Sequence, residues 1–167
     1  MNQKQALSVI YNCAKKYNDN LKDYNIMFVI EDKRIKEKIY FVESMYYIHN
    51  FLHLTGIDYI SNKNLKNASI FYSNLLKGKI SYKQIKFKNP TTTELKLQIL
   101  YNLCTIDKTA KFIGDYNDVI KDNLYTEKVI GNITYCFGLI KDKKQIIIYP
   151  ILQYKKILRI LLIILTI

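Results

Sequence analysis

Apolar side chains recur at helical spacing at the start of the chain. This pattern, with polar residues between, predicts an amphipathic helix from about residue 4 to residue 22. Its apolar face consists of Ala6, Ile10, Cys13, Tyr17 and Leu21.

Two runs of β-branched and aromatic residues follow, at positions 26–30 and 39–42, on either side of the charged segment EDKRIKEK. Such runs predict a β-hairpin. The aromatic-rich stretch YYIHNFLHLTGI, at positions 46–57, favours a strand or irregular structure. A second helix is predicted from Asn64 to Leu76, with Gly78 as its C-terminal stop.

A third helix is predicted to begin at Thr92 or Thr93, because Thr91 and Glu94 fit a capping box. Projection at about 100° per residue places Lys96 in the middle of its apolar face. A lysine there costs free energy unless it reaches solvent or pairs with an anion. The apolar face consists of Leu95, Leu97, Ile99, Leu100, Leu103 and Cys104.

The segment from residue 109 to residue 149 has the character of strands. These are KFIGDY, LYTEK and VIGNITYCFGLI, and a turn at KDKK leads into QIIIY. The order helix, hairpin, helix, helix and meander predicts an α+β fold with an antiparallel sheet rather than alternating βα units. We find no repeat and no linker, which predicts one domain over residues 1–150, followed by an apolar tail at 151–167.

The charge balance adds a functional expectation. Lys and Arg number 26 against 14 Asp and Glu, a net charge of +12. So basic a chain favours a polyanionic partner, such as RNA or an anionic membrane surface. An A/T-rich coding sequence would also accumulate lysine, but it should keep acidic residues plentiful as well.

The two termini and the spacing of the cysteines bear on localisation. The N-terminus has no apolar core of signal-peptide length, and the run Ile157–Ile167 is too short to span a membrane. Cys13, Cys104 and Cys136 are far apart and odd in number, which favours free reduced thiols. These features predict a cytoplasmic protein.

His49 and His53 are the two histidines of the chain, four residues apart. Because a third ligand and an HExxH motif are lacking, no metal site is predicted. His53 could instead be a general acid or base in RNA cleavage. The residues alone favour a core histidine with a backbone partner.

A basic run lies between the second and third predicted helices. Lysines interleaved with aromatic side chains suit single-stranded RNA, since the lysines meet phosphates and the aromatic rings meet bases. A solvated loop is an equally good reading of any one of these residues. The run consists of Lys77, Lys79, Lys83, Lys86 and Lys88, with Tyr82 and Phe87 between them.

Five segments, in order, resemble the phage-type barnase–EndoU–colicin–RelE-like nuclease domains, specifically their fourth phage group. The segments are HNFLHLTGI, FYSNLLKGKIS, TTTELKLQIL, KFIGDYN and LYTEKVIGNITYCFGLI. The resemblance implies N-terminal helices packed on an antiparallel sheet of about four strands. It also implies a toxin-like, metal-independent ribonuclease of phage or mobile-element origin that needs no cofactor.

The resemblance also implies roles for particular residues. Cleavage would proceed by 2′-hydroxyl transesterification, with RNA (tRNA being one candidate) as substrate and an antitoxin or immunity protein as a further partner. The alternative functions, in place of a ribonuclease, are a non-catalytic RNA-binding phage accessory module and a peripheral membrane protein. The catalytic candidates are His53, Thr55, Lys96, Thr126 and Lys128. Among the substrate-binding candidates the resemblance supplies Glu94, the basic run supplies Lys79, Lys83, Lys86 and Lys88, and Tyr116 is a further one.

The chain departs from the family after Pro150, where it continues as ILQYKKILRILLIILTI. A −1 reading frame permits a polar, charged continuation that is closer to the family. This predicts that a frameshift replaced the final segment, and the chain would be inactive if an active-site residue was lost with it. The alternative is a divergent amphipathic helix.

Overall fold

The computed structural model of the protein describes residues 1–32, 38–61, 67–115, 128–140 and 165–166. The chain forms two compact units, residues 1–23 with 45–105 and residues 24–44 with 106–167. The fold class is α+β, as predicted. The predicted boundary at residue 150 lies outside the described residues, so the division into 1–150 and 151–167 stays a prediction.

The first unit contains the longer helices and a short two-stranded sheet. The helices are α1 (Gln3–Asn20), α2 (Ile48–Thr55), α3 (Ala68–Leu76) and α4 (Pro90–Cys104). Strands β3 (Ile57–Tyr59) and β4 (Ile85–Phe87) pair antiparallel, and a 3-10 turn at Tyr82–Gln84 leads into β4.

The second unit contains the other strands. Strands β1 (Asn25–Asp32) and β2 (Lys38–Met45) are neighbours in one sheet, as the predicted hairpin requires, and β8 (Leu165–Thr166) pairs parallel with β1. Strands β5 (Phe112–Asp115), β6 (Lys128–Asn132) and β7 (Tyr135–Leu139) form an antiparallel meander after the short helix α5 (Ile106–Thr109).

The apolar face predicted for α1 is confirmed, since all five of its side chains are buried. The strand or irregular structure expected for residues 46–57 is wrong, because this stretch forms α2 and then β3. Phe51 explains the difference: its ring centroid lies 5.1 Å from that of Tyr17 and 5.2 Å from that of Tyr72. Tertiary packing around these rings outweighs the weak local preference of aromatic residues for strands.

Two helix starts differ from prediction. The Asn89 side chain accepts from the Thr92 backbone N–H, so α4 begins at Pro90 and the Thr91 capping box is wrong. Proline suits the first helical position because its missing N–H would have no helical partner there. Asn67 likewise caps α3, which begins at Ala68, whereas the prediction placed residue 67 inside the helix; the predicted start at Asn64 lies outside the described residues.

The segment VIGNITYCFGLI forms two strands rather than one. The Asn132 side-chain oxygen accepts from the backbone N–H of Thr134 at 2.9 Å and from its hydroxyl at 2.7 Å. Such local bonding stabilises a turn, so the chain reverses between β6 and β7. The predicted turn at KDKK and the strand QIIIY lie outside the described residues.

Candidate active site

The turn at the end of α2 places His53 at the surface of the first unit. Gly56 ends the helix with φ of 72°, a conformation that favours glycine, and its N–H donates to the His53 carbonyl oxygen at 3.4 Å. The His53 side chain lies in the last helical turn and remains exposed.

Hydrogen bonds to one carbonyl hold this turn against two other elements. The Gly56 carbonyl oxygen accepts from the buried Thr93 hydroxyl at 2.7 Å and from the Lys88 backbone N–H at 3.2 Å. The end of α2, the first turn of α4 and the residue after β4 therefore meet at a single atom.

Lys96 lies one turn after Thr93 on α4, and its aliphatic stem packs on Gly56. A methyl group at residue 56 would lie 3.1 Å from Lys96 Cδ, so the lysine occupies the space that glycine leaves open. Its Nζ lies 3.5 Å from the His53 carbonyl oxygen. The prediction placed Lys96 in the middle of the apolar face of this helix, but its side chain is only half-buried. Leu95, predicted on the same face, is 58% exposed.

His53, Lys88 and Lys96 form a cluster whose electrostatics favour a neutral imidazole and an anionic ligand. Partial burial of the imidazole, then Lys96, then Lys88 lower the pKa of His53 below its ordinary value. Burial and then Lys88 also lower the pKa of Lys96. Within the described residues Lys96 has no acidic partner, whereas Lys88 Nζ lies 3.9 Å from an Asp58 carboxylate oxygen. The two ammonium groups therefore place positive charge beside the His53 imidazole and favour its neutral form.

Two other predicted site residues have structural contacts. Thr55 is fully buried, and its hydroxyl donates to the Leu52 carbonyl oxygen at 2.7 Å and accepts weakly from the Ile57 N–H at 3.4 Å. Its hydroxyl thus stabilises the turn below His53 and does not face solvent. Glu94 pairs with the N-terminal amine of Met1 at 3.2 Å.

The predicted substrate-binding lysines lie on the segment that leads into the cluster. Lys79, Lys83, Lys86 and Lys88 are all exposed. In the β3–β4 pair Lys86 lies opposite Asp58. Tyr82, between the lysines, is 41% exposed, and a ring so exposed is accessible to a base.

Lys128 lies in the second unit, at the start of β6. Its Nζ is 2.5 Å from Asp115 Oδ1, on the residue that faces it across the strand pair. This bond lowers the pKa of the Asp115 carboxyl. Thr126 and Tyr116 lie outside the described residues.

The other histidine has a different setting. The His49 ring stacks on Tyr47, with centroids 5.2 Å apart.

Across the described ranges no three His, Cys, Asp or Glu side chains are grouped as metal ligands would be. In the same parts of the chain, no helix has the length and apolar character needed to cross a membrane.

Sequence reasoning missed two contributors to the cluster. Lys88 was predicted to bind substrate, but its effect on the His53 pKa was not foreseen. Thr93 was not singled out, although its hydroxyl fixes the Gly56 turn. The sequence predicts a tight turn at Thr55-Gly56, and the signal that it closes a helix is Gly56 itself, because glycine is common in the left-handed conformation just after a helix.

Comparison with known proteins gives one family. Searches of curated proteins and of solved structures returned no match. The family described as phage-Barnase-EndoU-ColicinE5/D-RelE like nuclease4 matches residues 9–161. The match continues beyond Pro150, where we expected the resemblance to end. Because it covers most of the chain, the protein belongs to this phage-type nuclease-like family.

Proposed function

We propose that this protein is a metal-independent endoribonuclease that uses His53 to activate the 2′-hydroxyl of RNA. The nuclease family supplies the general class of activity. The observation that carries the proposal is geometric: His53 is exposed, and Nζ of Lys96, which has no acidic partner within the described residues, lies 3.5 Å from the His53 carbonyl oxygen. A general base must be accessible to its substrate and present a free ring nitrogen. His53 is exposed, and the lowering of its pKa favours the neutral imidazole.

In the proposed reaction neutral His53 removes the proton of the 2′-hydroxyl. The 2′-oxygen then attacks the adjacent phosphorus, the bond to the 5′-oxygen breaks, and a 2′,3′-cyclic phosphate forms. The leaving 5′-oxygen takes up a proton from water, and the His53 imidazolium returns its own proton to water. Negative charge builds on the phosphate oxygens in the transition state. The Lys96 ammonium, with Lys88 beside it, would stabilise that charge, and partial burial of Lys96 strengthens such an interaction.

The remaining proposed residues have supporting roles. The exposed lysines Lys79, Lys83 and Lys86 would hold the RNA backbone on either side of the scissile phosphate. Thr55 would maintain the turn under His53. Lys128 and Thr126 stay proposals from the family resemblance alone. We also propose a cytoplasmic, toxin-like role with tRNA as a candidate substrate and an antitoxin or immunity protein as partner.

The test is incubation of the purified protein with total RNA in the presence of EDTA. We expect cleavage that leaves 2′,3′-cyclic phosphate ends and that is lost in His53→Ala. His49→Ala is the matched control, since His49 is exposed on the same helix but stacks on Tyr47. RNA binding without cleavage by the wild-type protein would overturn the enzyme and favour the non-catalytic RNA-binding module.

A further inference from the structure

A groove between α1 and the end of α3 is lined by residues to which the proposed cleavage reaction gives no role. Its volume is about 280 Å³, near the lower end, roughly 300 Å³, of small-ligand sites. Leu7, Leu75 and Ile80 give it an apolar lining, and Tyr11 and Gly78 also contribute to it. All of these residues belong to the first unit.

Tyr11 gives the groove an aromatic wall. The Lys15 Nζ lies 4.4 Å from the centre of the Tyr11 ring, which is the geometry of a cation–π contact. The ring is half-buried and forms part of the lining of the groove. An aromatic ring beside an aliphatic lining provides the surface on which an unstacked base packs.

Four lysines line this groove, contact its aromatic ring or adjoin its lining in the chain. Lys4 lines the groove, Lys15 lies on the Tyr11 ring, and Lys77 and Lys79 are the neighbours of Gly78 in the chain. All four are exposed, and none of them forms an ion pair within the described residues. The described residues that line the groove include no Asp or Glu. An apolar slot with cations around it complements an unstacked base attached to a phosphate backbone.

We infer that this groove binds one nucleotide of single-stranded RNA away from the cleavage site. This inference rests on the proposed function for its substrate class. The base packs on Tyr11 and the aliphatic lining, and the flanking phosphates meet Lys4 and Lys15 on one side and Lys77 and Lys79 on the other. The segment that leaves the groove at Gly78 ends at Lys88, beside His53, so the same chain segment serves both sites.

The test measures binding rather than cleavage, so it stands if the proposed cleavage fails. The probe is a short fluorescent oligouridylate with 2′-O-methyl riboses, which cannot provide the attacking hydroxyl. Binding by the His53→Ala protein is followed by fluorescence anisotropy. Tyr11→Ser removes the ring without changing charge, and we expect Kd to rise by at least about fivefold, because stacking on an aromatic side chain contributes that much or more per base.

Lys4→Ala combined with Lys15→Ala tests the phosphate contacts. The slope of log Kd against log salt concentration should fall by about 1.4, since each phosphate contact to a single strand contributes about 0.7. The matched control is Lys108→Ala combined with Lys111→Ala, which removes the same charge from exposed positions in the second unit. We expect this control to change the slope much less.

Three outcomes would overturn the inference. One is an unchanged Kd in Tyr11→Ser, which would reduce the groove to a general polyanion surface. Another is an equal loss of binding in the two double variants. The third is no oligouridylate binding together with tight binding of an acidic peptide, which would assign the groove to a protein partner. Loss of cleavage in His53→Ala with normal oligouridylate binding supports both the groove and the separate role of His53.

Discussion

Lys96 Nζ lies 3.5 Å from the backbone carbonyl oxygen of His53, at the C-terminal end of α2. Carbonyl groups at a helix end carry partial negative charge, so they attract an ammonium group without neutralising it as a carboxylate would. The lysine is therefore held in place by a weak contact and keeps its charge for an anion. The same contact sets the lysine close enough to influence the His53 imidazole.

Lys96→Met should raise the pKa of His53 toward its ordinary value of 6.5. Burial and Lys88 continue to lower this pKa in the variant, so the return is partial. If neutral His53 is the base, the acid limb of the kcat/KM profile should move to higher pH. An NMR titration of the His53 ring protons, assigned with His53→Gln, measures the change directly. Lys108→Met is the control, and an unmoved His53 titration in Lys96→Met would contradict the arrangement.

Gly56→Ala and Gly78→Ala separate backbone strain from crowding. Both glycines have positive φ, 72° and 66°, so both substitutions impose a left-handed conformation that costs about 1–2 kcal/mol. Only at residue 56 would the new methyl group also approach Lys96 Cδ at 3.1 Å and Thr93 Cα at 3.2 Å. We expect Gly56→Ala to lower the free energy of unfolding by about 1 kcal/mol more than Gly78→Ala does. Urea unfolding measures both, and equal losses would show that Lys96 does not pack on Gly56.

Helices and strands are predicted correctly from the sequence where a single hydrophobic periodicity dominates. The α1 face is such a case, because five apolar residues repeat at helical spacing and all are buried. Helix α2 was missed because its stability depends on Phe51 packing against Tyr17 and Tyr72, which come from α1 and α3. Local patterns do not contain contacts between residues so far apart in the chain.

The candidate site was predictable as a set of residue types rather than as an arrangement. His53 and Lys96 followed from the family resemblance and from the cost of a lysine on an apolar face. Their proximity depends on the Gly56 carbonyl oxygen, which accepts hydrogen bonds from Thr93 and Lys88. No periodicity encodes that junction, because it joins three segments through one backbone atom.

The three cysteines should differ in reactivity toward a thiol reagent such as DTNB. Cys13 and Cys104 are buried, and the Cys104 thiol donates to the Cys13 carbonyl oxygen at 3.3 Å. Cys136 is exposed in β7. Because the thiolate is the reacting species and must be accessible, native protein should show one fast thiol and denatured protein three. Cys136→Ser should remove the fast phase, and rapid reaction of a second thiol in the native variant would contradict the burial of α1 against α4.

Lys96→Met and Lys128→Met should affect cleavage unequally, although the family resemblance proposes both lysines. Lys96 has no acidic partner within the described residues, whereas Lys128 donates to Asp115 at 2.5 Å across β5 and β6. A paired ammonium group offers less net charge to a transition state than an unpaired one. We expect kcat to fall by about 100-fold in Lys96→Met and by less than about tenfold in Lys128→Met.

Asp115→Asn tests the reason for that inequality. If the pairing with Asp115 limits the positive charge that Lys128 offers to the transition state, this variant should leave cleavage unchanged or increase it. The reason is that the lysine loses its carboxylate partner. Circular dichroism and urea unfolding establish that all three variants are folded, and loss of an exposed pair should cost at most about 1 kcal/mol. A Lys128→Met protein that is folded but as inactive as Lys96→Met would reassign the charge-stabilising role to Lys128.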